Sequence, residues 1–373
     1  MLFKFSEYRF KDYNFRLIMM LIAITVIGIL AVGSAEKSIQ NKQIYGFIFG
    51  FVIMILLSFM DYTKLLKLWW LIYAGNLGLL VLVKLFGETH GGAQRWLNVG
   101  IAVQPSELAK ILLILFYAQF IMKFRDKMKD IRFILLSIAL MVPPLLLIAM
   151  QPDLSTTIVI FLVMCVVLFC GEVPYKYVLG TLGVAIPAAV LLFIYILQPN
   201  QKILKPYQQD RILAWLHPEQ YELEEAYQQL NSVMAIGSGK LTGKGLNNNV
   251  VNSVKNGNFI SKPQTDFIFT IIGEELGFIG SALVILLLLG IVAECFIIAH
   301  KSKDISGRIV AAGMGALVGF QGMVNIAVAT GLFPNTGLPL PFVSAGLTSL
   351  VSLYIGMGFV LNVGLQCEQK YTN

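Results

Sequence analysis

Lys262-Pro-Gln-Thr-Asp266-Phe-Ile-Phe-Thr-Ile-Ile-Gly-Glu-Glu275-Leu-Gly-Phe-Ile-Gly280 joins a long hydrophilic segment, roughly 198–265, to an apolar run from Phe267 to about His300. An apolar run of that length reads as a membrane span. Asp266 therefore stands where a transmembrane helix leaves water, and an ionisable group there is costly and by default functional. On a continuous helix, Asp266, Gly273 and Gly277 fall within about 20° of one stripe. The Gly273-xxx-Gly277 spacing would let a neighbouring helix approach closely beneath the carboxylate. The plainer reading is a helix cap, since Asp favours an N-terminus. From this stretch alone, both readings stand.

The composition extends the membrane reading to the whole chain. It is 57% hydrophobic and 13% charged, with a mean hydropathy of +0.75, which excludes an ordinary soluble domain. The net charge of +7 has a topological explanation and does not call for nucleic acid. Cys165, Cys170, Cys295 and Cys367 show neither a disulfide framework nor metal-ligand spacing. The first apolar run is too long for a signal peptide and reads as an uncleaved helix. Apolar spans fall at about 15–35, 43–60, 67–86, 105–123, 132–150, 155–171, 177–197, 267–299, 308–330 and 345–366. The fold class is thus an all-α polytopic membrane protein, residues 1–373 forming a single domain of about ten helices.

Basic residues cluster in alternate connections: Lys4, Arg9, Lys11 and Arg16 before the first span, then Lys64 and Lys67, then Lys123 to Arg132, Lys176, and Lys301 to Arg308. That alternation places both termini in the cytoplasm and the segment 198–266 outside, as one large extracellular loop. At about seventy residues the loop is too long for a plain connector, so it is read as functional, with helical pieces lying flat on the bilayer.

The other outside connections are rich in Gly, Pro and small polar residues: Gly91 to Lys110, Gln151 to Thr156, and Thr330 to Gly346. Irregular backbone at membrane depth survives only against protein or a watery cavity, so these loops and Asp266 predict a polar cavity opening outward. Pro105 suits the first turn of a helix capped by Gln104, with Ser106 and Glu107 in its positive end. Glu107 and Lys110 are spaced to pair on one face, as a structural ion pair or as a functional one. Asp153 reads as a helix starter. The glycine-rich run from Ala235 to Gly245 lacks a phosphate-loop register, and nucleotide binding is rejected. Lys240, Lys244 and Arg211 either attract an anionic headgroup or form a solvated basic surface. Of the adjacent Glu274 and Glu275, at least one is expected in a structural network. Asn76 and Asn325 read as interhelical glue.

These residues resemble the RodA/FtsW/SpoVE group, the SEDS peptidoglycan glycosyltransferases. The resemblance spans nearly the whole chain, through GAQRWLNVG and QPSELAK (Gly92 to Lys110), QPDLSTT (Gln151 to Thr157), AIGSG and GKGL (Ala235 to Leu246), TDFIF and GEELGFIG (Thr265 to Gly280), and TGLFPNTGLPLPFVS (Thr330 to Ser344). The GAQRW run and the Tyr207 to Ile212 stretch look closest to the RodA branch. The chain departs from the family pattern at Lys240, at Lys262-Pro263-Gln264, and at Ala345 to Leu347.

The resemblance implies polymerisation of lipid II on the outer face of the bacterial cytoplasmic membrane, with Asp266 as the catalytic residue. The candidate substrate-binding residues are Arg95, Gln104, Ser106, Glu107, Lys110, Gln151, Asp153, Ser155, Lys244, Thr336 and Ser344. No organic cofactor is implied. Joining an α-linked diphosphate donor to a 4-hydroxyl with β outcome is one inversion, needing a base on the acceptor and charge relief at the diphosphate. Arg95, Lys110, Lys244 or a divalent cation (Mg or Mn) could supply that relief. The implied partner is a class B penicillin-binding protein, a transpeptidase. A lipid II flippase and a non-enzymatic transpeptidase scaffold are the competing readings. A transporter would place its polar groups near the midplane, whereas here they crowd the outer side.

Overall fold

The computed structural model describes residues 13–367 apart from 91–92, 99, 101, 152, 199–200, 203–205, 222–225, 248–252, 254–256 and 258. Gly91-Gly92, the basic residues Lys4, Arg9 and Lys11, the later part of the loop's acidic stretch and both chain ends lie outside the described residues.

In chain order the helices are α1 (Phe15–Ala35), α2 (Lys37–Ser58), the short α3 (Tyr62–Leu66) and α4 (Trp69–Phe86). Three strands follow, β1 (Glu88–His90), β2 (Ala93–Asn98) and β3 (Ala102–Val103), then α5 (Pro105–Lys123), α6 (Ile131–Ala149), α7 (Leu154–Cys170) and α8 (Tyr175–Ile196). The long loop holds α9 (Pro206–Leu216) and α10 (Tyr227–Ser238), and the chain closes with α11 (Ile268–Lys301), α12 (Ile305–Ala329) and α13 (Leu347–Leu365).

Among the described residues, eight helices (α1, α2, α4, α5, α6, α11, α12 and α13) are long and apolar enough to cross a membrane. The apolar α7 has 17 residues and α8 has 22. Together these account for the spans read from hydropathy, although α2 starts at Lys37 rather than near residue 43. The all-α expectation needs one addition. The α4–α5 connection folds into an antiparallel sheet in the order β1-β2-β3, with Leu97 opposite Val103, because a connection at this depth must pair its own backbone groups.

Burial separates the helices into a centre and a periphery. About three-quarters of the central stretch of α5 and of α12 is buried (78% and 72%), against 28% for α2, α4 and α6. Those three therefore turn most of their apolar surface to lipid, while α5 and α12 form the core with α7 and α13 packed against them. One end of the bundle is closed by ionic and amide contacts. There Asn362 Oδ1 accepts from the Tyr62 amide at 3.0 Å, the Tyr62 hydroxyl donates to Asp304 at 2.9 Å, and Arg125 meets Glu172 at 2.8 Å. The other end gathers the glycine- and proline-rich loops.

Two expectations change. α10 does not lie alone on the bilayer: its Gln229, Ser232 and Ala235 are buried, packed against α11 and α12. α11 is not one continuous helix, because Gly277 adopts φ 66°, ψ −160° and divides it into 268–276 and 278–301. The stripe through Asp266, Gly273 and Gly277 therefore does not exist. Instead of a transmembrane helix, Ile236 of α10 packs over Gly273, and the chain at 241–243 covers Gly277.

Candidate active site

The turn before α11 carries Asp266 one residue ahead of the helix cap. Phe267 is the capping residue, and no side chain caps this helix. The capping role is thereby excluded. The Asp266 backbone is held firmly: Asn325 Nδ2 of α12 donates to its carbonyl at 2.8 Å and to that of Leu338 at 2.7 Å. Ser344 Oγ donates to the Thr265 carbonyl at 2.6 Å and accepts from the Leu340 amide at 2.7 Å, and the Ala345 amide donates to Gln264 at 2.8 Å. The turn is thus stitched to the α12–α13 loop at Gln264 and Thr265, and to α12 at Asp266 itself. That loop passes Asp266 at Gly337, whose φ of +69° suits glycine; a Cβ there would lie 3.5 Å from Oδ2.

No hydrogen bond to the Asp266 carboxylate is made among the described residues, and the side chain keeps partial access to solvent. The surrounding protein strips most of its hydration, and this desolvation pushes its pKa above the ordinary 3.8. Arg211, Arg95 and Lys262 pull against that rise and Asp153 adds to it. At the start of a membrane span, the Asp266 carboxylate thus lies within the electrostatic reach of three basic groups.

Arg95 lies on β2. Its Nε donates to the Gln151 carbonyl at 3.1 Å and its guanidinium stands 3.8 Å from Asp153. Asp153 caps α7 as the sequence predicts, accepting from the Thr156 amide at 3.3 Å. Gln151 is buried, with Nε2 donating to the Leu80 carbonyl at 3.2 Å, and Ser155 Oγ donates to the Thr336 carbonyl at 2.8 Å. Through Thr336 and Gly337 the α7 terminus connects with Asp266. Ser344, by contrast, is a buried brace, since Gln43 Nε2 also donates to its carbonyl at 3.0 Å.

Gln104 occupies the cap position of α5 without a side-chain capping bond; its Nε2 instead donates to the buried Ser106 hydroxyl at 3.2 Å. Glu107 and Lys110 do pair, at 2.8 Å, each with a side chain only 2% exposed. Lys110 Nζ also donates to Gln321 Oε1 of α12 at 2.8 Å, and Gln321 Nε2 donates to Pro339 at 2.9 Å. The ammonium is thus buried between α5 and α12 and reaches the site only through the loop it supports. Lys244 meets Glu274 at 2.7 Å.

Sequence reasoning brought out Asp266, Arg95 and Asp153 but left three contributors outside the candidate set: Asn325, Lys262 and Arg211. Asn325 is indeed glue, and what it glues is the Asp266 backbone. In the sequence Arg211 reads with Lys240 and Lys244 as attracting an anionic headgroup or forming a solvated basic surface, since local spacing does not say which charge bears on the Asp266 carboxylate. Among the described residues there is no group of three or more His, Cys, Asp or Glu able to hold a metal ion.

The family FTSW_RODA_SPOVE, described as cell cycle protein, matches residues 12–369, and this chain belongs to it. Similar curated proteins include the probable peptidoglycan glycosyltransferase FtsW of Geobacter sp. (strain M18), 32% identical over 95% of this chain and 97% of that one. Peptidoglycan glycosyltransferase MrdB of Escherichia coli (strain K12) is 33% identical over 93% of this chain and 92% of its own length. Among solved structures, the rod shape determining protein RodA of Thermus thermophilus matches with a TM-score of 0.71 at 27% identity, covering 96% of this chain and 98% of that one. A chain from work on the structural coordination of polymerization and crosslinking by a peptidoglycan synthase complex matches with a TM-score of 0.79 at 29% identity, over 94% and 97% of the two chains.

Proposed function

We propose that this multi-pass membrane protein is a peptidoglycan glycosyltransferase that polymerises lipid II, with Asp266 as general base. The observation that carries the reading is the placement of Asp266: ahead of the helix cap, its turn fixed by Asn325 and Ser344, and within the electrostatic reach of Arg211, Arg95 and Lys262. Asp266 takes the proton of the acceptor 4-hydroxyl as that oxygen attacks the anomeric carbon of the donor. The bond from that carbon to the diphosphate oxygen breaks, undecaprenyl diphosphate leaves with the electron pair, and the single displacement inverts α to β. A carboxylate at the ordinary value would be a weak base at neutral pH; burial brings it nearer the working range.

Arg95 and Arg211 meet the charge that develops on the leaving diphosphate. Were a divalent cation to arrive with the diphosphate, Asp153 beside Arg95 is the carboxylate that would hold it, and it would supply further charge relief. The alternation of basic connections supports both termini on the inner side of the cytoplasmic membrane, and the likeness to a synthase-complex chain supports a transpeptidase partner of the class B penicillin-binding type. The test is to incubate the purified chain, alone and with that partner, with lipid II in detergent. Glycan strands are expected from wild type. Their absence in both arms would sink the assignment and return the chain to scaffold or flippase.

A further inference from the structure

The break in α11 exposes backbone groups that a continuous helix would have paired. After Gly277 ends the first half, the carbonyls of its last turn and the first amides of the second half have no partner within the helix. They are paired by one short stretch of the long loop. The amides of Lys244 and Gly245 donate to the carbonyls of Glu274 and Glu275, both at 3.0 Å. In return the amides of Phe278 and Ile279 donate to the carbonyls of Lys240 and Leu241, at 2.9 and 3.2 Å. The loop thus fills both faces of the break. The approach is so close that a Cβ on Gly239 would lie 1.9 Å from the Gly273 carbonyl oxygen, and one on Gly243 would lie 2.1 Å from that of Glu275.

Side chains lock the same junction. Lys244 Nζ meets Glu274 Oε1 at 2.7 Å, where Glu274 is 2% exposed. The neighbouring Glu275 accepts from Ser34 Oγ at the end of α1 at 2.6 Å and from the Asn247 amide at 3.2 Å. The half-helix 268–276 is short, and Asp266 stands just before its first residue. Eight residues of helix span about 12 Å, so a tilt at Glu274 displaces the carboxylate at the other end by a comparable angle.

We infer that Lys244 is a positioning residue. Its ion pair with Glu274 fastens the loop to the half-helix behind Asp266, and its ammonium is committed there rather than to the diphosphate. This deepens the proposed glycosyl transfer and rests on it. It also recasts the glycine-rich run as the backbone complement of a broken helix, a role independent of any bound anion.

The experiment uses the purified full-length chain as wild type, Lys244→Met, Lys244→Glu, Glu274→Lys, the reversed pair Lys244→Glu/Glu274→Lys, and the neutral pair Lys244→Met/Glu274→Gln. Lipid II kinetics and thermal melting are measured on each. Lys244→Met is expected to lower kcat about ten- to a hundredfold, as misplacement of a catalytic group does, with KM left within about twofold. The reversed pair is expected to recover melting temperature and much of kcat relative to either single reversal. If the single reversals do not fold, the neutral pair carries the comparison and is expected to show lowered kcat with KM unchanged. A rise in KM with kcat intact, or a reversed pair that melts like wild type yet is as inactive as Lys244→Glu, would overturn the assignment in favour of a diphosphate contact. The melting cycle needs no activity: strictly additive losses would overturn the clamp itself. Coupling in that cycle beside an inactive wild type would count against the glycosyltransferase reading and leave the clamp standing.

Discussion

At the scale of single residues, Asp266 does one job that its neighbours do not share. Since Phe267 occupies the cap, replacing Asp266 by Asn removes no capping bond. What it removes is a base, a loss of about two to four orders of magnitude in rate. Asp266→Asn is expected to insert, fold and retain the lipid-linked substrate while failing to polymerise it. Asp153→Asn, which retains an acceptor for the α7 cap, is expected to keep more activity. A lipid II assay on both variants checks this, and near wild-type polymerisation by Asp266→Asn would move the base elsewhere.

Proton linkage at Asp266 gives activity and stability opposite signs. The pKa of its carboxyl is raised in the folded chain, so the folded state holds the proton more tightly than the unfolded one. Its contribution to stability is present below the ordinary value and is lost as pH rises through the raised value. Activity, which needs the ionised form, appears over that same rise. The expected profile of kcat/KM has an acidic limb above 3.8, the ordinary position. Asp266→Asn is expected to melt no lower than wild type at neutral pH. A limb at the ordinary position would separate the limb from this residue.

Between elements, the buried pair of α5 ties the helix to α12 and to the loop over the site. Glu107, Lys110 and Gln321 form a chain ending at Pro339. Removing one charge from a buried pair leaves the other uncompensated, at a cost of about 3–5 kcal/mol. Glu107→Gln is therefore expected to lower both melting temperature and activity. Glu107→Gln/Lys110→Met removes both charges and is expected to be milder on melting. A thermal-denaturation cycle checks it, and strictly additive losses would argue against direct coupling. The spacing of Glu107 and Lys110 made the pair legible in the sequence. Gln321 was not, because it comes from a helix distant in the chain.

For the whole molecule, the glycine- and proline-rich loops gather at one end while the opposite end is closed by ionic contacts, so under the proposed function catalysis and the partner share a face. Reconstitution with a class B penicillin-binding protein is expected to give co-purification and a higher polymerisation rate. A rate indifferent to the partner, with no complex recovered, would remove that prediction. Trp215 of α9 donates to the Gly331 carbonyl at 3.0 Å, and Gln229 of α10 donates to Val328 and Phe333 at 2.8 and 2.6 Å. The long loop is thereby tied to the transmembrane bundle.

The positions of the spans, the membrane class and the family were all readable from the chain itself. Each depends on properties local in sequence: the length of an apolar run, a charge at its edge, or an ordered set of motifs. The break at Gly277 was not readable, because glycine in an apolar run is equally compatible with a straight helix until something supplies the missing backbone partners. That supplier is the loop at 239–247. The same rule governs the charges. Sequence showed that Lys244, Glu274 and Glu275 needed partners; tertiary structure chose them, pairing Glu275 with Ser34 across 241 residues. In a low-dielectric interior the cost of an unpaired charge is large, so the fold must settle every such pairing, and the choice depends on distances that no stretch of chain contains.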